Sequence, residues 1–200
     1  MKSFLLLCTG VLLALFLVPA PSAGADDPVQ IVENYHSILL SVMKEAEKLE
    51  FSGRYDRLAP VISAVFDFPF MSKVIMGRYW PTFSSEERAD FVEAFRKLSI
   101  SIYAGRLDGY SGQRFKVASL KKARRGRVMV QSVLLKSYGD EIDLAYILRK
   151  NENRWYIINV VAEGVSELSL RRADYTAYFK KNGFRGLLDK LNEKISDYAN

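Results

Sequence analysis

The chain has 200 residues, with 29 Lys and Arg against 23 Asp and Glu, a formal charge of +6, one histidine and one cysteine. A lone cysteine excludes internal disulfides, and with a single histidine it leaves no Cys/His set for a structural metal site. A mild cationic excess suits anionic membrane surfaces or acidic partners.

Lys2, the apolar run Phe4 to Val18 and the small residues Ala23-Gly24-Ala25 have the anatomy of a cleavable secretory signal, cut after Ala25. The run falls short of the roughly 20 residues a bilayer span needs, and no later stretch approaches that length. No transmembrane anchor is expected. Cys8 lies inside the apolar stretch rather than after it, which argues against a lipid-modified N-terminus. The working part is then an exported domain, residues 26–200, without cysteine and held together by packing. In such a location nucleic acid is a poor partner.

Asp27-Pro28 reads as an N-cap followed by a first-turn proline. Ile31, Tyr35, Ile38, Leu39, Val42, Met43, Ala46 and Leu49 recur at three- and four-residue spacing, predicting a helix of about six turns that ends near Phe51-Ser52-Gly53. From Arg54 to Gly77 the chain reads as short helices interrupted by Pro60 and Pro69. Ser84-Ser85-Glu86-Glu87 matches a capping box, and Phe91, Phe95, Leu98 and Ile102 give the following helix one apolar face. Gly105, Gly109 and Gly112 read as turn residues.

From Phe115 the period becomes alternating. Phe115 to Leu120, Val128 to Lys136, Ile142 to Arg149 and Trp155 to Val161 predict four strands of an antiparallel meander. In the third, Ile142, Leu144, Tyr146 and Leu148 share one face. Past Gly164 the helical period returns, divided at Asn182-Gly183. The whole is an α+β domain: residues 26–112 mainly helical, 113–162 a four-stranded sheet, 163–200 helical, with helices covering the apolar sheet face.

No catalytic constellation emerges. His36 has no second imidazole to pair with, and reads as a helix-packing or solvated residue. Gly164-Val165-Ser166-Glu167-Leu168 lacks the second glycine of a nucleophile elbow, so Ser166 or Ser169 reads as a helix N-cap. Asp143, Glu163 and Glu167 show no spacing that makes them converge. The chain is read as a non-enzyme without cofactor or metal. The densest charge run, Lys121-Lys122-Ala123-Arg124-Arg125-Gly126-Arg127, reads as a hairpin turn and a candidate docking patch. The aromatic-rich apolar inventory fits either a filled core or one hollowed for a ligand.

Phe66-Asp67-Phe68-Pro69-Phe70-Met71, then Met76-Gly77-Arg78-Tyr79-Trp80, then Phe91 to Tyr103, resemble the MlaC or toluene-tolerance family of periplasmic lipid-binding proteins; Trp155, Gly164 and Ser166 also fall where that family has its own. The resemblance implies a periplasmic shuttle that shields a lipid's acyl chains between helices and sheet, without catalysis. It implies as partners an inner-membrane ABC transporter complex with an MCE protein, an outer-membrane complex and transient membrane contact. Glu167-Leu168-Ser169-Leu170-Arg171-Arg172-Ala173-Asp174-Tyr175 is similar to the hopanoid-associated HpnM branch. The cargo is therefore expected to be a phospholipid or a hopanoid.

On that resemblance the pocket is expected from Met71, Val74, Ile75, Tyr79, Phe91, Phe95, Leu98 and Ile102 on the helices and Val130, Leu134, Leu144, Tyr146 and Leu148 on the sheet. Lys121, Lys122, Arg124, Arg125, Arg127, Arg171 and Arg172 are the docking candidates. The competing expectation is a non-enzymatic interaction module with a filled core.

Overall fold

The computed structural model describes residues 27–199. The export signal and its cleavage site lie outside the described residues.

The Asp27 carboxylate accepts the Val29 amide at 2.9 Å, and Pro28 stands in the first turn of α1, Pro28–Lys44. Its missing N–H costs nothing there. α1 buries Val32, Tyr35, His36, Leu39, Val42 and Met43. The expected six-turn helix is shorter than its apolar spacing suggests, because the chain turns at Glu45 and a second helix, α2, runs Ala46–Val65. Ala46 and Leu49 therefore belong to α2, which kinks at Glu50 (φ 53°, ψ −170°) and continues through Phe51-Ser52-Gly53 instead of ending there. Pro60, expected to break the helix, lies within α2. Pro60 and Asp56 are both exposed, so the carbonyl four residues back, deprived of its donor, faces water.

α3, Phe68–Met76, carries Pro69 in its first turn, so this proline starts a helix rather than interrupting one; the Asp67 carboxylate caps it by accepting the Phe70 amide at 2.9 Å. A 3-10 segment, Gly77–Thr82, leads to α4, Ser85–Arg106. Here the predicted capping box is complete: the Ser84 hydroxyl accepts the Glu87 amide at 3.1 Å and the Glu87 carboxylate accepts the Ser84 amide at 2.8 Å. Glu86 and Glu87 at the start and Arg106 at the end also suit the helix dipole. Gly105 lies inside α4 rather than in a turn. Tyr198, from the end of the chain, packs where a Cβ on it would sit.

Four strands follow, β1 Arg114–Lys122, β2 Val128–Leu135, β3 Glu141–Asn151 and β4 Arg154–Ala162, each antiparallel to the next. The expected four-stranded sheet has a fifth member, β5 Val165–Ser166, paired with Ala162 and Val161. Two residues are too few to show alternation; the tight Glu163-Gly164 turn, with φ of 49° and 75°, is its local cause. The other end of β4 is covered by the chain entering α3. Phe66 bridges Ile157 in parallel, and the Asp67 amide donates to the Ile157 carbonyl at 3.0 Å. Among the described residues β1 is left as the long free edge.

α5, Glu167–Ala199, closes the domain and bends at Gly183 (φ 70°, ψ −173°), the division the sequence marks at Asn182-Gly183. Its Tyr175, Leu187 and Leu191 are buried, and Tyr175 meets Phe91 and Phe95 edge-on. The helices thus form one layer over the face of the sheet that carries Leu144, Tyr146 and Leu148. Full burial of side chains such as Phe91, Leu98 and Ile75 supplies roughly 1.5–3 kcal/mol each.

Candidate functional site

The helical layer does not fill its side of the sheet. Between them is a cavity of about 490 Å³, within the span of roughly 300–1,000 Å³ typical of small-molecule sites. Leu39 and Met43 of α1, Ile62 of α2, Phe66, Phe68 and Met71, and Phe95, Ile102 and Tyr103 of α4 line its helical side. Phe115, Leu134, Ile142, Leu144, Tyr146, Val160 and Ala162 line the sheet side, and Leu168 of α5 completes it.

Strand alternation explains the sheet wall. Phe115 pairs with Leu134, and Leu134 with Ile142, so these three share the face that bears Leu144 and Tyr146. Continued by two positions, the same alternation carries Gln113 and Lys136 onto that face at the rim, where both line the cavity. Arg106 from the end of α4, and Glu167 and Arg171 from the first turns of α5, join them. The rest of the lining is mostly apolar, with Ser99 and Asn159 the polar exceptions, and the rim holds three cations and one carboxylate.

A polar cluster lies against the wall. His36 Nε2 is 3.0 Å from the Tyr146 hydroxyl, and the imidazole stacks on Phe115 with centroids 4.2 Å apart and planes 9° apart. Burial lowers the His36 pKa to about 4, so the ring is neutral at pH 7. Burial, then the nearby Tyr103, raises Tyr146 well above the ordinary tyrosine range; Tyr35 is raised in the same way, with Tyr146 adding to the effect. All three stay uncharged.

Polar side chains at the cavity and in the candidate motifs beside it have partners of their own. The Ser99 hydroxyl donates to the Phe95 carbonyl at 2.8 Å, and Glu167 lies 3.7 Å from Arg171. Ser166 bonds Asn159 and accepts the Ser169 amide at 3.1 Å, acting as the helix cap its sequence suggests. The Glu163 carboxylate accepts the Asp143 amide rather than facing another acid. Among the described residues no group of His, Cys, Asp and Glu is placed to hold a metal ion.

Of the expected pocket residues, Met71, Phe95, Ile102, Leu134, Leu144 and Tyr146 line the cavity. Ile75, Phe91, Leu98, Val130 and Leu148 do not. Each is at most 1% exposed and belongs to solid core, because its position along the helix or strand lies beyond the hollow though its face is right. Val74 is partly exposed on α3. Tyr79 packs on Phe179, with ring centroids 5.0 Å apart. The polar rim and the His36–Tyr146 pair went unanticipated; the extended alternation to Gln113 and Lys136 was the available signal.

The docking candidates divide. Lys121, Lys122, Arg124 and Arg125 are exposed at the β1–β2 turn, whereas Arg127 lies over the Phe70 ring at 5.5 Å. Arg171 faces the cavity rim and donates to the Tyr175 hydroxyl at 3.3 Å. Arg172 donates to the Val74 carbonyl at 3.3 Å, closing the end of α3. Arg171 and Arg172 are thus each held by a hydrogen bond, although Arg172 stays exposed.

Comparison with known proteins follows the same lines. Over 194 residues the chain is 25% identical to toluene tolerance protein ttg2D of Pseudomonas putida, covering 95% of this chain and 88% of that one. It is 23% identical over 207 residues to the intermembrane phospholipid transport system binding protein MlaC of Haemophilus influenzae, covering 98% and 94%. Its fold matches a phospholipid-binding protein from Ralstonia solanacearum, solved in complex with a phospholipid, with a TM-score of 0.77 at 22% identity over 87% of this chain and 99% of the other. The MlaC protein family model matches residues 33–193, and the chain belongs to that family.

Proposed function

We propose that the cavity holds the acyl chains of one lipid and that the protein carries it through the periplasm as the shuttle of an MCE/ABC-type transport system, between an inner-membrane transporter complex and an outer-membrane complex. The observation that carries this reading is the hollow itself, walled by aliphatic and aromatic side chains and cationic only at its rim. Each methylene taken from water into such a wall gains about 0.8 kcal/mol. Arg106, Lys136 and Arg171 suit a lipid phosphate at the mouth, while the neutral His36–Tyr146 pair leaves the interior without charge.

A hollow also weighs against a mere interaction module, whose helices and sheet would meet without a gap. The protein acts by binding alone. The family's transport proteins favour a phospholipid cargo; the Glu167–Tyr175 segment, similar to the HpnM branch, favours a hopanoid. Solvent extraction and mass spectrometry of protein exported by its own cells should yield close to one lipid per chain and identify which. Repeated lipid-free preparations that also take up no lipid from vesicles would end the proposal.

A further inference from the structure

The positive charge of this protein is concentrated in one hairpin. Residues 113–136 hold eight Lys and Arg and no Asp or Glu, whereas the whole chain sums to +6, so the remainder is slightly acidic. Elsewhere many cations are matched: Arg57, Arg96, Lys97, Arg149, Lys190 and Lys194 all have carboxylate partners. Within the hairpin, Arg114, Lys116, Lys121, Lys122, Arg124 and Arg125 are exposed and have no ionic partner among the described residues.

Lysines along a free strand edge discourage edge-to-edge pairing, which accounts for Lys116 on β1. It does not account for Arg124 and Arg125, which stand in the turn beyond the paired ladder. Arg125 even adopts φ 61°, a left-handed conformation that glycine or asparagine takes more cheaply. Folding alone gives no reason for an arginine there.

We propose that the β1–β2 hairpin docks the protein on an anionic phospholipid bilayer surface. Lys121 lies opposite Met129 and Lys122 opposite Val128, so they point from opposite faces of β1, while Arg124 and Arg125 project from the tip. A protein interface centres on a packed, charge-depleted patch; this hairpin has charges splayed around a ridge, with Leu120, 48% exposed, beside them. A fluid headgroup layer accepts cations at any angle and gains from each. The base of the same hairpin supplies Gln113 and Lys136 to the cavity rim, so a protein lying along β1 brings its opening to the membrane. The proposal stands on charge and exposure and does not depend on the cargo.

Co-sedimentation of the exported protein with vesicles of phosphatidylethanolamine and phosphatidylglycerol tests it, against vesicles of phosphatidylethanolamine and phosphatidylcholine. Binding to the anionic vesicles alone, released by salt, is expected. Replacing Lys121, Lys122, Arg124 and Arg125 together by Glu should reduce binding by at least about tenfold, and replacement by Gln should give a smaller loss. The exposed pair Lys180→Glu and Lys181→Glu on α5 should leave it unchanged. Thermal melts matching the parent establish that the variants are folded. No binding to anionic vesicles at low salt, or equal loss from the α5 pair, overturns the proposal. So does vesicle binding that survives the hairpin reversals while binding to soluble poly-L-glutamate is lost, which would make the ridge a site for an acidic polypeptide.

Discussion

Arg54 Nη1 donates to the Ala46 carbonyl at 3.0 Å, while its Nε donates to Ala104 at 2.8 Å. Ala104 lies in the last turn of α4, where carbonyls run out of intrahelical donors, and Ala46 stands just before the kink at Glu50. One guanidinium, 9% exposed, therefore ties the start of α2 to the end of α4 beside the cavity. Arg54→Met should lower unfolding free energy by about 3 kcal/mol, since charged hydrogen bonds are lost and buried carbonyls go unmatched. Arg54→Lys should recover only part of that, because an ammonium lacks the fork that reaches both carbonyls. Urea unfolding measures both.

His36 makes stability depend on pH. Its folded pKa of about 4 lies below the ordinary value of 6.5 because the charged ring is excluded from water. Below pH 6.5 the unfolded chain takes up a proton that the folded one refuses, so stability falls with falling pH and levels off near pH 4. About 3 kcal/mol should be lost across that window at roughly 1.4 kcal/mol per pH unit. His36→Gln cannot titrate but can still bond Tyr146, so its stability should be flatter between those limits. Unfolding curves of both proteins at several pH values decide it.

The elements were legible where local signals agree. Asp27-Pro28, the Ser84–Glu87 box, the alternation of β3 and the break at Gly183 all name their own structures. The split of the first helix was hidden because Ala46 and Leu49 keep its apolar spacing while the backbone has already turned at Glu45. For the site, periodicity reveals which face of an element is apolar but not whether anything fills the space opposite. Phe91 and Phe95 lie on one helical face and both meet Tyr175 of α5, yet only Phe95 reaches the hollow, because Phe91 stands one turn earlier on α4, beyond it. Arg171 and Arg172 differ from the free cations expected: Arg171 meets Tyr175 one turn along its own helix, and Arg172 meets the Val74 carbonyl, which becomes its neighbour only in the fold.

The contrast between hollow and solid core gives a paired test at Leu144 and Leu148, which share a face of β3 four residues apart. Leu144 lines the cavity and Leu148 is fully buried beyond it. Leu144→Trp should find room, leaving the melting temperature unchanged or raised while lipid per protein falls several-fold. Leu148→Trp has no space and should cost about 1–3 kcal/mol through overpacking. Melting of delipidated protein and quantified lipid extracts would read the two effects separately; equal destabilisation by both substitutions would mean that the hollow does not exist in solution.

Gly77 ends α3 with φ 52° and ψ −116°, a conformation that suits residues without a side chain. A Cβ built there would stand 2.9 Å from Arg172 Nη2, part of the same guanidinium that bonds the Val74 carbonyl. Gly77→Ala thus meets two penalties, backbone strain and displacement of the group that closes α3. A loss of about 2 kcal/mol is expected, against the gain that alanine normally brings to a helix. Arg172→Ala removes the obstruction but also the bond, so the double variant should be less destabilised than the sum of the two single ones. A double-mutant cycle by urea unfolding measures that coupling; strict additivity would show that Arg172 is not what confines position 77.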